Sequence, residues 1–181
     1  MKATGIVRRI DDLGRVVIPK ELRRSMHIRE GDPLEIYTEK DGELIFKKYS
    51  PVGEMGEFAA QLCDSLRRGA GGIAAVCDRD SVIAVAGGGK KELLDKPVSP
   101  ELEQIMAGRG VYRSVGGGEV PVSVEDGGYC VSVAAPVLSE GDVLGCVLFV
   151  APRGSAAGTE LELKLAQTAA IFLGKQFDTN L

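Results

Sequence analysis

Residues 4–26, TGIVRRIDDLGRVVIPKELRRSM, limit what this chain can fold into more than any other stretch, because 23 residues hold a turn, a proline and six bases. Residues 6–10 and 15–18 are short β-branched runs. Asp11-Asp12-Leu13-Gly14 between them supplies turn chemistry, with the glycine free to take positive φ. The pattern predicts a hairpin. Pro19 has no N–H for a ladder and suits a first helical turn, so strand should give way to helix there. Residues 20–26 then make about two turns, with Leu22 and Met26 inward and Lys20, Arg24 and His27 stacked on another face.

The charges in this stretch conflict unless an anion meets them. Arg8, Arg9 and Arg15 crowd the turn in either register, and like charges across a sheet destabilise it. Lys20 and Arg24 are a like-charged i, i+4 pair, which costs a few tenths of a kcal/mol in a bare helix. The competing reading is solvated edge arginines that only blunt strand pairing. Composition bears on the choice. A net charge of −4 and a pI near 5.2 argue against a nucleic-acid binder. Yet residues 1–50 carry eleven bases against nine acids, a net of +2 that leaves −6 for the rest, and the first thirty carry eight bases against four acids. Such asymmetry points to a polyanion partner for the basic segment.

His27 is the one histidine, so no histidine-pair metal site or Ser/His/Asp triad can be assembled in one chain; it sits where the helix should end and reads as a cap. Residues 34–40 and 43–49 flank Asp41-Gly42, a strong hairpin signal. A two-residue loop would pair Lys40 with Glu43 and Tyr37 with Phe46. Leu34 and Ile36 would then share one face, and Tyr37, Leu44 and Phe46 the other. About fifty residues with apolar groups on both faces bury too little surface alone, and a second, interleaved copy is the physical remedy.

TGIVRRIDDLGRVVIPKELRRSMHIREGDPLEIY, followed by LIFKKY, closely resembles the N-terminal DNA-binding domain of the AbrB family of bacterial transition-state regulators. The resemblance runs from residue 1 to about 49, with GRVVIPKELRR as its core. It implies a swapped-hairpin homodimer that binds double-stranded DNA. The positions matching the family's DNA-contacting arginines are Arg8, Arg15, Arg23 and Arg24, with Arg9 and Lys20 in support. His27 stands where that family commonly has glycine.

Ser50-Pro51 marks a boundary, a hydroxyl N-cap followed by proline at the first helical position. Met55, Phe58, Ala59, Leu62 and Leu66 form one apolar stripe on a helix expected over 51–68. Strands are expected at 72–77 and 81–86 around Asp78-Arg79-Asp80, then helical pieces at 91–94 and 99–106. Residues 110–128 alternate weakly and are rich in glycine, which suggests mobility. Strands at 129–137 and 143–151 should make a central hairpin. A capping box from Thr159 to Glu162 opens a helix over 159–177 whose apolar face holds Leu161, Leu165, Ala169, Phe172, Leu173 and Phe177.

The expected fold class is therefore two domains. Residues 1–50 form an all-β-rich, swapped-hairpin, AbrB-like domain for DNA binding and dimerisation. Residues 51–181 form an α+β domain with an antiparallel sheet flanked by helices. By element order and by CDRD and GCVLFV, the second resembles a GAF domain. That resemblance implies a sensory or oligomerising role, a small ligand of unknown identity beside the sheet, and homotetramers through the terminal helices.

Other chemistries fit less well. Gly87-Gly88-Gly89-Lys90-Lys91 lacks the spacing and hydroxyl of a phosphate-binding loop. Some GAF-fold proteins reduce methionine sulfoxide, which would make Cys77, Cys130 and Cys146 redox nucleophiles, but no flanking base lowers a thiol pKa. Cys63 and these three read instead as small buried hydrophobes. A metabolite-binding module whose first domain only dimerises is a further alternative. No cofactor, metal or enzyme activity is expected, and with no apolar run near the roughly 18 residues of a membrane helix and no signal peptide, the expected place is the cytoplasm.

Overall fold

The computed structural model describes residues 5–116, 119–125, 127–155 and 157–178. The chain forms two compact units, Met1–Tyr49 and Ser50–Leu181.

In the first unit the Asp11-Asp12-Leu13-Gly14 turn closes through Gly14 N–H to Asp11 O (3.1 Å) and Asp11 N–H to Arg15 O (3.0 Å), with Gly14 at φ 76°. The flanking runs carry no ladder among the described residues. Their apolar side chains have little in the one chain to pack against: Val7, Ile10, Leu13 and Val17 are all largely exposed. Helix α1 (Lys20–Ser25) follows Pro19, whose ψ of 148° is still extended. It stops in a double C-terminal cap. His27 takes φ 52°, its N–H reaches Arg24 O (3.2 Å), and the Ile28 N–H reaches Arg23 O (2.7 Å). Met26, expected inward, is 47% exposed.

Strands β1 (Leu34–Thr38) and β2 (Leu44–Lys48) pair antiparallel, one residue out of the expected register. Ile36 faces Phe46 and Tyr37 faces Ile45, where Tyr37 opposite Phe46 was expected. A two-residue type I′ loop needs positive φ at both central residues, and only Gly42 (φ 81°) has it, so the loop takes three residues and closes by Glu39 N–H to Glu43 O. The slip changes the faces. Leu34, Ile36, Leu44 and Phe46 now share one side, and Glu35, Tyr37, Ile45 and Lys47 share the other. The hairpin thus has one apolar face, with Ile36 59% and Leu44 60% exposed.

The second unit is a five-stranded antiparallel sheet, order β4-β3-β7-β6-β5, with helices on both faces. Ser50 caps α2 (Pro51–Glu54), accepting from Gly53 N–H. The expected single helix breaks at Met55 between Gly53 and Gly56, both poor helix formers, and resumes as α3 (Gly56–Ala70). Then come β3 (Ile73–Asp78), β4 (Val82–Ala86), α4 (Lys90–Leu93) and α5 (Pro100–Ala107), the last capped by Ser99. Of the weak strands, 111–115 shrinks to β5 (Tyr112–Arg113) and 120–124 to isolated bridges. In the glycine-rich region, residues 117, 118 and 126 lie outside the described residues. Strands β6 (Tyr129–Ser139) and β7 (Asp142–Pro152) meet at Glu140-Gly141, both at positive φ. Helix α6 (Glu160–Asp178) opens with the capping box, Thr159 N–H to Glu162 Oε2 and Glu162 N–H to Thr159 Oγ1.

Alternation along the strands sends side chains into two cores. Ala74, Val76, Val133, Val147 and Phe149 meet α3 and α6 on one face. Ala75, Cys77, Leu148 and Val150 meet Leu93, Leu102, Met106 and Val122 on the other. Gly174 lets α6 lie directly on the sheet, since a Cβ there would collide with the Leu138 carbonyl.

Candidate nucleic-acid interface

Arg8, Arg9, Arg15, Lys20, Arg23 and Arg24 are all exposed. Two devices place them. At the tip of the first hairpin, Asp11 Oδ1 accepts from Leu13 N–H (3.0 Å) and Arg15 N–H (2.7 Å), and its Oδ2 accepts from Arg15 Nε (2.8 Å). These bonds, led by the Arg15 amide and then its guanidinium, hold the Asp11 carboxyl below the usual carboxylate range. Arg8 is anchored locally, its Nη1 donating to the Val7 carbonyl (3.2 Å).

In α1, Lys20 opens the helix and Arg23 and Arg24 occupy its last turn, where the negative end of the helix dipole favours positive charge. The helix end is tied to the second hairpin by Lys48, whose Nζ donates to the His27 carbonyl (2.9 Å) and sits 3.1 Å from Asp32 Oδ2. Asp32, only 1% exposed, also accepts from the Arg29 N–H. A carboxylate buried to that degree needs such partners. Sequence reasoning missed Asp11, Asp32 and Lys48. An Asp four residues ahead of an Arg across a turn was the available signal for the first. Nothing local announces the Lys48 tie, which spans 21 residues.

In the second unit the surface arginines Arg68, Arg113 and Arg153 pair with Asp64, Glu160 and Glu119. Its four cysteines are free and fully buried. Burial pushes the Cys63 thiol up to about 12 and raises Cys77 and Cys146 as well, the reverse of what a redox nucleophile needs. An open groove of about 360 Å³ lies against α2 and α3, lined by Glu54, Met55, Glu57, Phe58 and Gln61. Phe58 also packs against Phe172 of α6, the rings tilted by 31° with centres 6.1 Å apart. Among the described residues there is no cluster of three metal-ligating side chains, and no helix is long and apolar enough to cross a membrane.

Comparison with known proteins matches two families to the chain. Residues 54–178 match the family described as stage V sporulation protein T C-terminal, transcription factor, and residues 7–54 match the MazE antidote-toxin recognition family of bacterial antitoxins. Stage V sporulation protein T of Bacillus subtilis is 47% identical, over 98% of this chain and 99% of its own length. The transition state regulatory protein AbrB of the same organism is 63% identical over 28% of this chain and 52% of its own. Among solved structures, a GAF domain/HD domain protein from Geobacter sulfurreducens superposes with a TM-score of 0.51 at 17% identity, covering 75% of this chain and all of that one, which is likeness of fold.

Proposed function

Because the chain belongs to the stage V sporulation protein T family of transcription factors, we propose that it regulates sporulation genes by binding double-stranded DNA through Arg8, Arg15, Arg23 and Arg24, supported by Arg9 and Lys20. The observation that carries this assignment is the first unit itself: six exposed bases, set out from a turn and a short helix, in a segment of net +2 within an acidic chain. Arginine suits the task, because its planar fork makes bidentate contacts to phosphate and guanine.

The functional division we propose follows residues 1–50 and 51–181. The first part dimerises by interleaving, which would cover Ile36, Leu44 and Phe46 and double the arginines to eight. The second senses or oligomerises. Support for tetramers comes from α6, where Leu161, Ile171 and Phe172 are 53%, 62% and 47% exposed although the opposite side of that helix is buried. The Ser50 hydroxyl, which caps α2 and donates to Asp78 Oδ2 (2.8 Å), ties the first residue of this unit to its β3–β4 turn, a route by which an unidentified small ligand could reach the connection. The sulfoxide-reductase alternative fits poorly with three buried thiols, two of which, Cys77 and Cys146, burial pushes up. A cytoplasmic protein is the reading consistent with transcriptional work.

Replacing Arg23 or Arg24 by Ala tests the assignment. Each should weaken DNA binding by about 1–3 kcal/mol and flatten the dependence of log K on log salt by about 0.9 per lost phosphate contact and per chain, with the circular dichroism spectrum unchanged. An unaltered midpoint and slope in both variants would reject it.

A further inference from the structure

The geometry points to Asp11 as a positioning residue that aims the Arg15 guanidinium at base edges rather than at the phosphate backbone. The inference rests on the reading that Arg15 contacts DNA, and it adds what fixes the direction of that contact.

An acidic residue at the tip of a basic hairpin is costly there, because it repels the phosphates that the neighbouring arginines attract. Its ion pair with Arg15 has side chains 36% and 69% exposed, and such exposed pairs add little to stability. The carboxylate nevertheless accepts three hydrogen bonds from the loop it begins. Oδ1 holds the Leu13 and Arg15 amides, which fixes the turn, and Oδ2 holds Arg15 Nε, which fixes the side chain. The two oxygens do separate jobs. A guanidinium donating through Nε keeps its two terminal nitrogens as a forward-facing pair, the edge that reads O6 and N7 of guanine. A long, rotamer-rich side chain held this way has also lost part of its freedom before DNA arrives, which lowers the cost of ordering it in the complex. The charge that repels backbone at the same spot makes a wandering, phosphate-only contact less favourable, so affinity is given up and discrimination gained.

Asparagine separates the two jobs. In Asp11→Asn the side-chain carbonyl still accepts from the Leu13 and Arg15 amides, while the amide nitrogen cannot accept from Nε. The full-length protein would be titrated against a duplex that the wild type recovers from a random-sequence pool and against an unrelated duplex of equal length. Asp11→Asn should leave sedimentation and thermal midpoint unchanged, hold or raise affinity for the unrelated duplex, and reduce the ratio of the two affinities about tenfold, the size of one base contact. Arg15→Lys, which keeps the charge but removes the fork, should reduce the ratio similarly. In an Arg15→Ala background Asp11→Asn should have no further effect on the ratio, because the two residues act through one contact. An undiminished ratio in Asp11→Asn, with Arg15→Ala still weakening binding, would overturn the positioning role while leaving Arg15 a DNA contact. Wild-type binding of both duplexes by Arg15→Ala would overturn the underlying reading as well.

Discussion

The two units treat their apolar side chains in opposite ways. In the second, thirty-odd residues fill both faces of the sheet, and Phe149, Leu148, Leu102 and Leu173 are fully buried. In the first, Pro19 alone is buried among the described residues, and Val7, Ile10, Leu13, Val17, Ile36 and Leu44 stand in the open. A sheet backed on both faces can fold for itself. A hairpin with one bare apolar face, beside a turn whose arms have no ladder, is shaped for a partner. On our proposal that partner is a second copy, and the basic surface belongs to the pair.

The contrast should show first in the second unit. Phe149→Ala should destabilise it by about 3–5 kcal/mol in denaturant titrations, the cost of a cavity in a closed core, and should leave the DNA affinity of the folded protein unchanged. Phe46→Asp comes next, at about 2–3 kcal/mol for a charge placed in a face meant to be covered. Here the loss should depend on concentration and should remove DNA binding although all six bases remain. If Phe46→Asp bound DNA like the wild type, the contrast between the units would fail. The smallest effect should come from Ser132, whose hydroxyl is buried at the β6 bulge with no partner among the described residues. Ser132→Ala should be neutral or stabilise by up to about 1 kcal/mol in thermal unfolding.

What the sequence made legible was mostly local. Ser50, Ser99 and Thr159 cap helices where a hydroxyl precedes proline or stands three residues before an acid, and His27 ends α1 in the left-handed geometry expected of it. The hairpin at Asp41-Gly42 was legible but its register was not, because a following glycine permits either a two-residue or a three-residue loop and only the φ of Asp41 decides. The break at Met55 escaped the apolar stripe, since periodicity continues across a one-residue interruption and carries no record of it. In the candidate interface the six bases could be read directly. Of the carboxylates that place them, Asp11 left a signal in its spacing from Arg15, whereas Asp32 left none, because it meets Lys48 only once the β1–β2 hairpin has formed.

The central claim, that the DNA surface is a property of two chains, is tested most directly by the salt dependence of the full-length protein's affinity for a duplex it selects from a random pool. With Arg15 turned to base edges, Arg8, Arg23 and Arg24 from each of two chains predict that log K falls with log salt at a slope of about −5, at 0.9 per phosphate contact. A slope no steeper than about −3, which one chain's three arginines could supply alone, would contradict it.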